Sequence, residues 1–229
     1  MKKVSVIICA YNEEDTIKNV ILSVSESIIV SEIIVVNDGS SDKTKQIIEE
    51  LKKEIDITDI HFSENKGKGY AMSIGVEYAT YEIIQFIDAD LSNITTEHIS
   101  QLTNPMINNE ADMVLGQATE TLINYGLNPF KSFTGERSVL KEDILPIIEK
   151  MKTSRFGVET LINLYYQSQG KRVKYVMLKD LKHPTKFEKT SSSNAVKEFV
   201  SEGQEIAVTA IKNYDLIIQS VKQIIAKNL

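Results

Sequence analysis

Apolar residues in this chain come first in short unbroken runs, then at helical spacing. Val4-Ser5-Val6-Ile7-Ile8-Cys9-Ala10, Glu32-Ile33-Ile34-Val35-Val36 and Ile83-Ile84-Gln85-Phe86-Ile87 are rich in β-branched residues and a few residues long, and the more mixed Ile57 to Phe62 reads as a further strand. The first of these runs predicts a strand buried on both faces. Between them lie stretches that open with polar turns: Asn12-Glu13-Glu14-Asp15-Thr16, with acids in the expected first helical turn, Asn37 to Asp42, and Asn65 to Ala79. Strands alternating with helices predict a parallel sheet covered on both sides. After Asp90 the pattern loosens. Thr95 to Asn108, Glu142 to Lys152 and Val158 to Gln169 read as helices, Asp112 to Gly116 and Arg172 to Leu178 as strands. Turn signals at Gly126, Asn128 and Pro129 mark a loop, and Lys179 to Ser193 is polar and rich in lysine and serine. From Val196 to Ile225 apolar residues recur at helical spacing, predicting one amphipathic helix with a break near Gly203. The expected division is a main domain over 1–193, with halves 1–92 and 93–193, and a helical appendage over 194–229.

Composition narrows this picture only in places. No apolar run approaches the roughly 18 residues needed to cross a bilayer. Met1-Lys2-Lys3 leads straight into a strand, without an h-region, and the single cysteine, Cys9, excludes a disulfide framework. A cytoplasmic location is the expectation. Charge is uneven: residues 1–120 hold 9 Lys+Arg against 21 Asp+Glu, and residues 121–229 hold 17 against 11. The basic stretch Lys171 to Lys189 is read as a solvated rim or as a wall facing an anion. A nucleic-acid partner is not expected.

Ligands of open α/β sheets sit beyond the carboxyl ends of the strands. The polar groups there are Tyr11-Asn12-Glu13, Asn37-Asp38-Gly39, Asn65-Lys66-Gly67-Lys68-Gly69 and Asp88-Ala89-Asp90. Each alone is a turn or a cap, but four at successive exits predict one crevice. Two acids closing a buried run need water, a proton or a cation. Gly67-Lys68-Gly69-Tyr70-Ala71-Met72 lacks the third glycine of a dinucleotide fingerprint and follows the third strand, not the first. No Gly-Lys-Ser/Thr phosphate loop occurs.

The order and spacing of Val6 to Glu14, Val35 to Asp42, Asn65 to Gly69 and Asp88-Ala89-Asp90 resemble the family-2 glycosyltransferases. The resemblance implies a GT-A fold, a Rossmann-like and mostly parallel sheet with helices on both faces, followed here by a C-terminal amphipathic helix. It implies that Ala10, Tyr11 and Glu13 line the base and ribose pocket and that Asp38 accepts from the base. Lys68 and Gly69 would lie against the nucleotide. Asp88 and Ala89 would contact the ribose or sugar, and Asp90, within the Asp-x-Asp motif, would hold Mg²⁺ or Mn²⁺ on a diphosphate.

Asp112 to Gly116 and Thr134-Gly135-Glu136-Arg137 are similar to segments of polyprenyl-phosphate sugar transferases and glucosyl-3-phosphoglycerate synthases. Arg137 is then expected to grip an anionic acceptor. Arg155-Phe156-Gly157-Val158-Glu159 resembles a helix start of the same enzymes and makes Glu159 the candidate general base, against a plain dipole role. His183 resembles the late histidine that completes a metal site, whereas His61 and His98 read as structural. The chain lacks the late Gln/Arg-x-x-Arg-Trp motif of processive synthases and has no Trp, which argues against cellulose- or chitin-like polymerisation. The implied reaction moves a sugar from a UDP- or GDP-sugar to a small or phosphorylated acceptor. Two readings compete: a sugar-phosphate nucleotidyltransferase, although Ala10 to Glu14 replaces the glycine-rich basic loop expected there, and a non-catalytic nucleotide-sugar sensor. For the terminal helix, packing on the domain or in a homodimer is favoured over peripheral membrane contact, because four lysines and four acids follow Thr190.

Overall fold

A computed structural model describes residues 2–118, 135–181 and 203–227. Seven strands form one sheet in the order β3-β2-β1-β4-β6-β5-β7. They are β1 (Val4–Ala10), β2 (Val30–Asn37), β3 (Thr58–His61), β4 (Ile83–Asp88), β5 (Met113–Ala118), β6 (Arg137–Leu140) and β7 (Val173–Leu178). The first four are mutually parallel, β5 pairs parallel with β7, and β6 runs antiparallel between β4 and β5.

Alternation along β1 shows why its run is apolar throughout. Val4, Val6, Ile8 and Ala10 face one core with α1 (Ile17–Ser25), α2 (Thr44–Leu51) and α4 (Thr96–Ile107). Ile7 faces a second core with α3 (Lys68–Tyr78), α6 (Ile148–Lys152) and α7 (Val158–Ser168). Successive side chains of a strand point to opposite faces, so a strand covered twice has no polar side. The short α5 (Lys141–Ile144) precedes a 3₁₀ turn at Leu145–Ile147. The continuous helix expected from Glu142 is therefore broken where Pro146 lacks a backbone donor.

Three further differences have simple causes. Asn12 to Thr16 is a turn, with the Ile17 amide on the Glu13 carbonyl at 3.0 Å, and helix α1 starts only at Ile17. Strand β6 was not foreseen, because four residues opening on a charged arginine carry no strand pattern. Among the described residues the tail has two helical pieces, 203–212 and α8 (Tyr214–Lys227), meeting at Asn213. Leu216 of α8 is buried in the second core, so this part of the tail packs on the sheet-and-helix body.

Both histidines assigned to the fold have structural partners. His98 Nδ1 accepts from the Thr95 amide, which leaves Nε2 to donate to the Lys179 carbonyl at 2.7 Å. His61 Nδ1 faces the Asn37 amide nitrogen at 3.2 Å and its Nε2 faces Asp59 at 3.1 Å.

Candidate active site

Register brings the strand exits level. Cys9 pairs with Asp88, Ala10 with Asn37, and Asn37 with His61, so Tyr11, Asp38, Phe62 and Ala89 begin their loops side by side. The loops are then stitched together. The Asn12 amide donates to Ser40 Oγ, the Ser41 amide to Asn12 Oδ1 and the Glu13 amide to Thr44 Oγ1, at 2.8–2.9 Å. Asp38 joins the second and third exits: its Oδ1 accepts from the Lys66 amide at 2.7 Å and its Oδ2 from the Gly67 amide at 2.8 Å. Gly67 sits at φ +95°, a conformation closed to most side chains, where the chain enters α3. Burial pushes the Asp38 pKa up, and the two amides offset this only in part.

The centre of the crevice is a cluster of charges. Lys68 Nζ lies 2.8 Å from Asp88 Oδ1 and 2.7 Å from Glu159 Oε1. Glu159 in turn faces Arg137, with Oε2 3.7 Å from Nη2 and its carbonyl 3.3 Å from Nη1. Arg137 Nη1 also donates to Asn163 Oδ1 at 3.2 Å, and the arginine is completely buried. Burial alone would drive Lys68 down, but Asp88 and Glu159 overcome it and hold the ammonium well above its ordinary pKa. Burial would raise Glu159, and Lys68 and Arg137 pull it below the ordinary value. Asp88 goes the other way: burial, opposed by Lys68 and reinforced by Glu136, Glu159 and Asp90, pushes it up to about 6.

This shift has a stability consequence. An acid whose folded pKa exceeds its unfolded value binds more protons when folded, so its contribution falls as pH rises between the two values. For Asp88 that window runs from about 4 to 6. Urea unfolding at a series of pH values should show wild-type stability falling relative to Asp88→Asn by on the order of 2–3 kcal/mol across it, then levelling off.

Strand β6 brings the next residues to the same place. Arg137 pairs with Phe86, and the antiparallel register lays Gly135 beside Asp88. A Cβ at Gly135 would run into both Asp88 carboxylate oxygens. Gly135→Ala is therefore expected to displace Asp88 and lower turnover about 10-fold or more, while thermal unfolding shifts by only a few degrees. Unchanged kinetics would show that the Asp88 position does not matter.

The remaining site residues divide by exposure. Tyr11 is half exposed at the first exit, and Glu13 and Asp90 are half-buried. Ala10 and Ala89 are buried with their methyl groups in the first core, so only their backbones face the loops. Gly69 lies in the first turn of α3 against the Met151 carbonyl, where a Cβ would not fit. His183 and Thr134 lie outside the described residues. Sequence reasoning missed the pairing of Lys68 with Glu159 across 91 residues, and the burial of Glu136.

The profile described as glycosyl transferase family 2 matches residues 5–175. The chain belongs to this family. Within family 2, the poly-beta-1,6-N-acetyl-D-glucosamine synthase of Staphylococcus epidermidis is 40% identical over 88 residues, 38% of this chain and 21% of that protein. The enzyme of the same name from Staphylococcus aureus strain MSSA476 is 34% identical over 91 residues, 39% of this chain and 22% of that one. These matches span about a fifth of the relatives' length. Glucosyl-3-phosphoglycerate synthase from Mycobacterium tuberculosis, solved with Mn²⁺, uridine diphosphate and glucosyl-3-phosphoglycerate, superposes with a TM-score of 0.74 at 19% identity, covering 92% of this chain and 79% of that one. Its complex with Mn²⁺, UDP-glucose and phosphoglyceric acid gives 0.72 at 22% identity, with the same coverage. The likeness is one of fold, and it identifies the sheet as GT-A.

Proposed function

We propose that this family-2 chain transfers a sugar from a nucleoside diphosphate sugar to a small or phosphate-bearing acceptor. The observation that carries the reading is the Lys68 ammonium held between Asp88 and Glu159 at the meeting point of four strand-exit loops. The bound uridine diphosphate and phosphorylated acceptors of the M. tuberculosis enzyme support it and favour UDP over GDP. Tyr11 and the loop braced by Asp38 would receive the base, and Asp88 the ribose or sugar hydroxyls.

Glu159 would face the acceptor. The pull of Lys68 and Arg137 keeps it ionised, ready to accept a hydroxyl proton, though that pull weakens it as a base. An acceptor whose attacking oxygen is already anionic needs no base. Arg137, buried behind Glu159, is assigned a positioning role rather than direct grip on the acceptor.

The donor set fits a divalent cation. Among the described residues no group of three or more His, Cys, Asp and Glu is arranged to hold one alone. Mg²⁺ and its analogues are commonly held by one or two carboxylates together with substrate phosphates. Asp90, half-buried where β4 ends, would be the carboxylate for this, and His183, which lies outside the described residues, would be a second ligand. When bound, such an ion neutralises charge gathering on the leaving diphosphate.

The test is release of nucleoside diphosphate from UDP- and GDP-sugars, with Mn²⁺, against hydroxyl- and phosphate-bearing acceptors. Acceptor-stimulated release from one donor is expected. No release from any donor–acceptor pair would contradict the transferase reading.

A further inference from the structure

The tail helices have two seams, and among the described residues one of them meets the body. Thr209, Asn213, Leu216 and Ser220, spaced 4, 3 and 4 apart, are buried toward the body of the protein. Ser220 Oγ lies 3.4 Å from the Leu164 carbonyl, and Asn213 Oδ1 lies 3.4 Å from Lys150 Nζ. On another face of α8, Tyr214, Ile218, Val221 and Ile225 are 65, 49, 50 and 54% exposed. Their spacing is 4, 3 and 4, the repeat of a coiled-coil seam. Single exposed apolar residues are ordinary, but a continuous stripe of them marks an interaction surface.

We propose that this stripe packs against the same stripe of a second copy of the chain, antiparallel, about a two-fold axis. With Ile218 and Ile225 as a positions and Tyr214 and Val221 as d positions, the exposed Asp215 and Lys222 both fall at e. Antiparallel packing brings e against e. With Ile218 of one copy beside Val221 of the other, Asp215 of each copy faces Lys222 of its mate, twice over by symmetry. Parallel packing would set g against e, Ile217 against Lys222, and make no charge pair. The charges beside the stripe (Lys212, Asp215 and Lys222) are mixed in sign, which does not suit an anionic bilayer. The seam also bears on the site. Glu205 of the 203–212 helix holds Arg155 Nε at 3.3 Å and the Phe156 amide at 3.0 Å, in the turn that leads into the Glu159 helix.

Sedimentation equilibrium of the full chain over the micromolar range tests this. The wild type should form dimers. Val221→Lys and Ile218→Lys should be monomers with unchanged far-ultraviolet circular dichroism, since both side chains are exposed. Asp215→Lys alone and Lys222→Asp alone each turn two opposite-charge contacts into like-charge ones, and should weaken the dimer roughly 10-fold. The double variant should regain wild-type affinity. A dimer indifferent to Val221→Lys, or a double variant no tighter than the singles, would overturn the proposal. A wild-type monomer would overturn it too. In that case, co-sedimentation with phosphatidylglycerol vesicles would identify a bilayer as the occupant, and no co-sedimentation would leave the stripe to the chain itself.

Discussion

Lys68→Met should lower stability by about 3 kcal/mol and remove nearly all activity. The ammonium is the shared counter-ion of Asp88 and Glu159, at 2.8 and 2.7 Å, and the three side chains are 15–22% exposed. Methionine keeps much of the volume but leaves two carboxylates facing each other, with Glu136 and Asp90 adding to the repulsion on Asp88. Breaking a buried pair from one side typically costs 3–5 kcal/mol, and partial hydration here places the expectation at the lower end. For a chain of this size that amounts to a fall in unfolding temperature of about 10 °C. The deficit should shrink as pH drops toward about 6, because Asp88, no longer held down by Lys68, takes up its proton at a higher pH than in the wild type and the repulsion is relieved. Thermal unfolding at several pH values checks both claims. A loss below about 1 kcal/mol, or one independent of pH, would mean that the cluster is solvated like a surface ion pair.

Asp90→Ala should behave in the opposite way, with activity lost and the fold kept. Asp90 is half-buried in the loop after β4, while its neighbours Ala89, Leu91 and Ile94 are anchored in the first core and keep the loop in place. Removing the carboxylate that would hold the cation forfeits stabilisation worth several kcal/mol in the transition state. Turnover should therefore fall by roughly 10²- to 10⁴-fold. The unfolding temperature without ligand should stay within a few degrees of the wild type. Activity within about 10-fold of the wild type would place the cation elsewhere.

The strand-exit loops of the first half were readable because their signals are local. Strands β1, β2 and β4 are mostly apolar, each ends in a polar turn, and parallel register does the rest, setting Ala10, Asn37 and Asp88 level, whereas the mixed, partly exposed β3 carries the weakest signal. The half of the site built from β6 and α7 was readable only as motifs. Strand β6 is four residues long and opens with a buried arginine, so its sequence looks like a surface turn. Only the antiparallel pairing of Arg137 with Phe86 shows that Gly135 borders Asp88. The contact between Lys68 and Glu159 joins residues far apart in the chain, and a single sequence carries no signal for that. The tail periodicity was legible, but the face that meets the body was not, because it carries Thr209, Asn213 and Ser220 around Leu216, while the more apolar face of Tyr214, Ile218, Val221 and Ile225 is exposed.

The proposed function requires that the strand-exit loops form one nucleoside diphosphate site, completed by a divalent cation at Asp90. Calorimetric titration of UDP into the wild type and into Asp90→Ala, each with and without Mn²⁺, decides this. Binding to the wild type should strengthen by at least an order of magnitude with Mn²⁺, and Mn²⁺ should have no effect in Asp90→Ala. UDP affinity that is the same in all four titrations, or no binding of UDP, GDP or dTDP to the wild type with Mn²⁺ present, would contradict it.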